Sequence, residues 1–316
     1  MTTLRAHVVL LAGGVGGAKL AVGLANVLPP GALSIIVNTG DDFEHLGLAI
    51  SPDLDTVLYS LAGLANPQTG WGLTDDTFQA MSMVERHGGP AWFRLGDRDL
   101  GTSLVRTSML QQGKSLTEVT QHLSAALGIE HAVLPMTDQP LRTLLETDLG
   151  PLAFQEYFVR ERWQPAVKSI RFEGADNAQP GAEVKKTLKQ ATLIVIGPSN
   201  PFLSIDPILA VAGIREQIAE SEAPCIAVSP IIGGQAVKGP AAKLMAELGL
   251  NVSPMGITKY YEDLLEGIIL DTMDNHVCEA IEKLNVRAAA RDILMTSLVQ
   301  KTELAEALLQ WAEEIS

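Results

Sequence analysis

Five apolar residues in a row, Val8–Ala12, open the recognisable pattern, and the run stops at Gly13-Gly14-Val15-Gly16-Gly17. An unbroken apolar run of that length marks a strand buried on both faces of a parallel sheet. The glycines turn the chain, and over residues 18–28 Leu20, Leu24, Val27 and Leu28 recur at helical spacing until Pro29-Pro30 ends the helix. Ser34-Ile35-Ile36-Val37 is the second strand and gives way to Asn38-Thr39-Gly40-Asp41-Asp42. The same alternation returns late in the chain. Leu193-Ile194-Val195-Ile196 runs into Gly197-Pro198-Ser199-Asn200-Pro201, a helix is expected from about residue 207 to 220, and Cys225-Ile226-Ala227-Val228 runs into Ser229-Pro230-Ile231-Ile232-Gly233-Gly234. Strands alternating with helices predict an α/β protein with a doubly wound, mainly parallel sheet.

The middle of the chain has another texture. Residues 53–128 read as mostly helical, interrupted at Gly70-Trp71-Gly72, Gly88-Gly89-Pro90 and Gly96-Asp97-Arg98-Asp99. Residues 131–173 read as strands with a turn at Asp148-Leu149-Gly150. The helical part, about residues 65–130, is expected to be an insertion covering the ligand cleft within one domain spanning residues 1–316.

Composition narrows the function classes. Apolar residues make up 47% of the 316, enough for a sizeable core. Lys and Arg number 23 against 37 Asp and Glu, a net charge of -14, which argues against a nucleic-acid partner. A nucleotide would instead be held by backbone N–H groups, a divalent metal and a few placed cations. Cys225 and Cys278, the only cysteines, have no CxxC spacing and read as reduced, buried thiols. Residues 1–12 mimic a signal peptide, but the apolar run is only a strand long. Nothing reaches the ~20 apolar residues of a membrane span, so a soluble, cytoplasmic protein is expected.

Ligands of such sheets sit beyond the carboxyl ends of the strands, where the polar clusters of this sequence fall. Glycines after the first strand let a backbone approach phosphate oxygens, and a helix N-terminus supplies free N–H donors. The spacing matches neither G-x-G-x-x-G, because Lys19 stands at the third glycine position, nor the P-loop, because Lys19-Leu20 is not GK[ST]. A tight turn without a ligand, with Lys19 merely solvated, is the plainer alternative. Asp41, Asp42, Asp53 and Asp55 lie in two loops at one sheet edge and suit a shared hard cation such as Mg2+; for Asp53 the plainer role is a helix N-cap. Arg94, Asp97, Arg98 and Asp99 fit an internal network and an anion site equally well. Ser199, Asn200, Ser229 and Gly233 suit a base or ribose edge, or ordinary loops. The six histidines are scattered, and no hydrolytic triad can be assembled.

These motifs, with Leu134-Pro135-Met136-Thr137-Asp138 and Leu294-Met295-Thr296, resemble nearly end to end and in order those of the 2-phospho-L-lactate transferase (CofD-like) family. The resemblance implies a Rossmann-like fold and a role in making coenzyme F-420. A guanosine diphosphate ester of a three-carbon acid is the implied donor. The acceptor is Fo (7,8-didemethyl-8-hydroxy-5-deazariboflavin), whose ribityl hydroxyl attacks phosphorus; GMP leaves, Mg2+ is needed, and the protein is a homodimer. On this reading Asp41 and Asp55 hold the metal, and Asp55, Asp41 and Arg98 are catalytic. Asp55 and Arg94 line the Fo pocket, while Gly14, Val15, Gly16, Gly17, Ser199, Asn200 and Gly233 contact the nucleotide. Removing Asp55 is then expected to abolish turnover with little change in thermal stability.

Two other functions compete. A related group of nucleotide-sugar-binding regulators (YvcK-like) shares the glycine loop, but residues 51–59 and 96–99 look like the transferase. An NAD(P)-dependent oxidoreductase would explain a strand-glycine-helix opening with Asp41 beyond the second strand; the missing third glycine counts against it.

Overall fold

A computed structural model describes residues 7–315, so the first half of the signal-like N-terminal stretch, residues 1–6, lies outside the described residues. Its centre is a sheet of seven parallel strands: β1 (Val8–Ala12), β2 (Leu33–Val37), β3 (Ala132–Pro135), β4 (Leu193–Ile196), β5 (Cys225–Val228), β6 (Gly267–Asp271) and β7 (Arg287–Arg291). Their spatial order is β7-β6-β5-β4-β1-β2-β3. Leu10 of β1 lies opposite Ile35 of β2 on one side and Val195 of β4 on the other. The chain winds outward from β1 to β3, crosses back to β4, and winds outward the other way. Strand order therefore reverses between β1 and β4, and such a switch point opens a crevice beyond the strand ends.

Both faces of the sheet are closed, as the apolar runs require. Val9 and Leu11 join Ile36, Ile194 and Ile196 in one core, while Val8, Leu10 and Ala12 join Leu20, Leu24, Ile35 and Val195 in the other. Helix α1 (Gly14–Val27) starts earlier than the pattern suggested: Gly13 is the extended residue before it, Gly14 stands at φ 60°, and Gly16 and Gly17 lie in its first turn. Crowding requires glycine at the last two. A Cβ on Gly16 would sit inside van der Waals contact with the Pro198 carbonyl, and one on Gly17 would meet Ser199 Oγ at 2.6 Å. The helix expected over about 207–220 is broken into Asp206–Leu209 and Ile214–Ala219, with Gly213 at φ 84° between them.

In the middle region, helices α2 (Pro52–Leu61), α3 (Gln79–Arg86), α4 (Asp97–Gln111) and α5 (Leu116–Ala126) are helical as read, but residues 62–78 are not. α5 lies on the sheet, where Val119 and Leu123 share a core with Val133 of β3. α3 and α4 close instead around Ile50, Met81 and Leu95, beside the hairpin Phe43–His45/Leu48–Ile50. Three antiparallel strands follow, Arg142–Thr147, Gly150–Ala153 and Val167–Glu173, with the expected turn between the first two. The Thr143 amide donates to the Gly40 carbonyl at 2.7 Å, docking this small sheet against the end of β2. Cys225 is buried but Cys278 only half-buried, and both are free thiols. Among the described residues no helix is long and apolar enough to cross a membrane.

Candidate active site

The site is built where β1 and β4 end. Ser199 Oγ donates to the Gly13 carbonyl at 2.8 Å and accepts from the Gly13 amide at 3.2 Å, so the two loops of the switch point are laced together. Asn200 caps the turn Pro201–Ile205, its Oδ1 accepting from the Phe202 and Leu203 amides at 3.1 and 3.2 Å, while its buried Nδ2 has no partner.

The carboxylates meet the glycine turn through a residue whose own part was not foreseen, Asn38. Its Nδ2 donates to Asp53 Oδ2 at 2.9 Å, Asp41 Oδ1 at 3.3 Å and the Leu203 carbonyl at 3.2 Å. Its Oδ1 accepts from the Gly40 amide at 2.8 Å, which fixes the amide's orientation. Asp53 Oδ1 in turn accepts from the Gly14 amide at 2.7 Å. Asp53 therefore caps α1, a helix nearly forty residues away in sequence, and not its own helix. From the small sheet side, Gln155 donates to Asp41 Oδ2 at 3.3 Å. Asp42 Oδ2 accepts from Ser51 at 2.8 Å, whereas its Oδ1 is buried without a partner.

These carboxylates are buried beside one another, and burial penalises the charged form. Desolvation, then the charges of Asp53 and Asp42, holds Asp41 well above the usual carboxylate range. Burial pushes Asp42 up to about 7 and Asp53 to about 6. Arg142 is the nearby cation that pulls back on Asp41 and Asp42. No three acidic, His or Cys side chains among the described residues form a preformed cage. Mg2+ nonetheless fits this donor set, because it commonly takes one or two carboxylates and keeps waters and substrate phosphates as its other ligands. The partnerless Asp42 oxygen leaves one buried acceptor of this set free.

Asp55 stands differently from expectation. Arg106, from the middle of α4, pairs with Asp55 Oδ1 and donates to the Ala49 carbonyl at 3.3 Å. The guanidinium is wholly buried, so the Asp55 charge already has its partner. Behind it Tyr59 donates to Asp99 Oδ1 at 2.7 Å, and burial pushes Asp99 up to about 7.

Arg94 and Arg98 lie on the outer rim. Arg94 is exposed and stacks over the Phe78 ring at 4.4 Å. Arg98 is in the first turn of α4 and donates to the Thr74 carbonyl at 2.9 Å. The acidic residues of that motif organise helices: Asp97 accepts from the Gln79 and Ala80 amides at 2.9 Å, and Asp76 accepts from Arg98 and Asp99 amides at 2.9 and 3.1 Å. Gly233 occupies a hairpin turn at φ 55° and donates to Asp274 at 2.9 Å, two strand positions along the sheet from Gly13. Arg106, Gln155 and Arg142 carried no sequence signal, since each reaches the site from a distant element.

Two hollows lie elsewhere. One of about 540 Å3 opens around His7, Ser34 and His131 at the opposite end of the sheet, and one of about 450 Å3 lies by Asp148 and Arg162. The candidate site is marked instead by functional groups converging at the switch point.

Strand order, a glycine-rich first turn and buried carboxylates together define a Rossmann-like α/β protein of the kind that handles phosphorylated ligands. A family model described as "2-phospho-L-lactate transferase CofD" matches residues 8–306. The chain is 41% identical over 315 residues to a phosphoenolpyruvate transferase of Streptomyces griseus, covering 98% of this chain and 99% of that one. It is 39% identical over 302 residues to a 2-phospho-L-lactate transferase of Methanosarcina mazei, covering 96% and 99%. This chain belongs to the CofD family of transferases. A UPF0052-family protein of Bacillus halodurans has the same fold, with a TM-score of 0.63 at 18% identity over 96% of this chain and 99% of that one.

Proposed function

We propose that this protein moves a phospho-three-carbon-acid group from a guanosine diphosphate ester to the ribityl hydroxyl of Fo, releasing GMP, in coenzyme F-420 biosynthesis. The donor is assigned as a class, phospholactate, phosphoenolpyruvate or phosphoglycerate, because relatives named for the first two match the chain almost equally. The observation that supports the proposal is the direct bond between the Gly14 amide and Asp53, by which the glycine-rich helix turn abuts buried acid groups. In the transfer, the ribityl oxygen bonds to the phosphorus bearing the acid. The bond from that phosphorus to the bridging oxygen breaks, and GMP departs with that oxygen.

Asp41 and Asp53 are the residues assigned to Mg2+, which when bound supplies charge neutralisation to phosphate oxygens. The remaining amides of the α1 turn orient the diphosphate, with Ser199, Asn200 and Gly233 toward the nucleoside. Phosphoryl transfer depends mainly on positioning and neutralisation. The hydroxyl proton therefore needs only a carboxylate near neutrality, and Asp42, at about 7, suits that task. Asp55 is assigned to holding Arg106 and the acceptor wall, Arg94 to the acceptor rim, and Arg98 to charge developing on the leaving phosphate. Mass spectrometry of the product from Fo, Mg2+ and each of the three donors tests the reading. Absence of both product and GMP with all three would overturn it.

A further inference from the structure

The two sides of the α1 N-terminus carry opposite charge. Asp53 lies at Gly14, whereas Val15, Lys19 and Gly23 follow at intervals of four and share another face of the helix. Two of these three meet separate elements. The position of a Cβ on Gly70 would be 2.6 Å from Val15 Cγ1 and 3.4 Å from Lys238 Nζ, and that ammonium donates to the Thr69 carbonyl. A Cβ on Gly23 would press into the Lys301 carbonyl of the C-terminal helix Leu298–Ile315 and lie 3.4 Å from Ala305 Cβ, so there it is backbone that closes on α1. Asn26 donates to Thr302 at 2.9 Å along the same seam. The Lys238 ammonium is thus placed beside Val15, one turn before Lys19. A helical side chain leans toward the helix N-terminus, so Lys19 reaches back over Val15.

Burial lowers the Lys19 pKa, and burial followed by the Lys19 charge lowers that of Lys238. Among the described residues neither has a carboxylate within ion-pair distance. In a chain with 37 acidic residues against 23 basic ones, two ammonium groups on one helix face without a carboxylate repel one another unless an anion joins them.

We propose that Lys19 and Lys238 form a cationic subsite for a diphosphate, opposite the carboxylates across the first turn of α1. This inference rests on the proposed function for the guanosine end of its ligand, but not for the diphosphate. The compact, strongly hydrated charge of lysine suits phosphate oxygens that approach from several directions. A diphosphate on the α1 turn is then flanked by a carboxylate side and a lysine side, so its orientation is fixed by charge.

Calorimetric titration with GDP, guanosine and inorganic pyrophosphate, on the full chain with Mg2+, tests this. Lys19→Met and Lys238→Met are each expected to weaken GDP and pyrophosphate binding about tenfold, with a shallower salt dependence, leaving any guanosine binding unchanged. Lys19→Arg should restore most of the GDP affinity. Wild-type affinity for GDP and pyrophosphate in a Lys19→Met/Lys238→Met double variant, shown folded by circular dichroism, overturns the subsite and spares the transferase reading. Lysine-dependent pyrophosphate binding without GDP binding keeps the subsite and sinks the guanosine assignment.

Discussion

Arg106 and Asp55 form a buried ion pair that fastens α4 to α2, with the arginine side chain 1% and the aspartate side chain 8% exposed. Removing one member of such a pair leaves an uncompensated charge in the interior, which costs about 3–5 kcal/mol. Asp55→Asn is therefore expected to lower stability by that amount in urea denaturation. This departs from the near-neutral effect that the sequence alone suggested. An Asp55→Leu/Arg106→Met double variant should recover most of the loss, because no charge is then stranded.

Asp53→Asn should behave in the opposite way. The change removes a buried charge but places an amide nitrogen against the Asn38 nitrogen, so one hydrogen bond is exchanged for relief from desolvation. Stability is expected to stay within about 1 kcal/mol of wild type, while Mg2+ affinity measured by calorimetry falls at least about tenfold. Unchanged Mg2+ affinity would remove Asp53 from the metal site.

On the proposed assignment, proton and metal compete for Asp53. Burial raises Asp53 to about 6 and Asp42 to about 7, both from 3.8. The folded state therefore holds more protons than the unfolded one across that window, and these groups contribute less stability as pH rises. Mg2+ bound at Asp53 would replace its proton. The ion's stabilising effect on the melting temperature should then be larger at about pH 7.5 than at about pH 5.5. An effect independent of pH, or larger in acid, would show that Asp53 does not hold the ion.

Gly16→Ala tests the switch point. The new methyl group would collide with the Pro198 backbone carbonyl, which cannot rotate aside as a side chain can. Overpacking of this kind costs about 1–3 kcal/mol, and because it parts the β1 and β4 loops it should also weaken GDP binding. Gly63→Ala, whose Cβ would meet nothing within 4 Å but which stands at φ 69°, is a control that strains the backbone away from the site.

Arg94→Ala should weaken Fo binding more than GDP binding if the side chain, which stacks over Phe78, lines the acceptor as proposed. Fluorescence titration with Fo and calorimetry with GDP give the comparison. Equal losses for both ligands would count against an acceptor role.

The local pattern carried much of the architecture because its physics is local. Val8–Ala12 reads as a strand buried on both faces, and every one of its residues is at most 1% exposed. The order of polar loops after strands was also legible, since chemistry in a doubly wound sheet collects at one end. The pairing of charges was not. Asp53, Asp55 and Asp99 are similar residues in sequence, yet one caps α1, one balances Arg106 and one accepts from Tyr59. Nor did spacing foretell that the helix would open at Gly14, or that a carbonyl of the β4 loop would press on Gly16.

The sequence by itself determined that the chain alternates strand and helix, that glycines and aspartates crowd the strand ends, and that its motifs follow those of one transferase family. Only the tertiary structure decided which aspartate faces the glycine turn and which is neutralised. Those outcomes depend on residues brought together from distant elements, where burial strengthens every charge and the nearest partner sets its role.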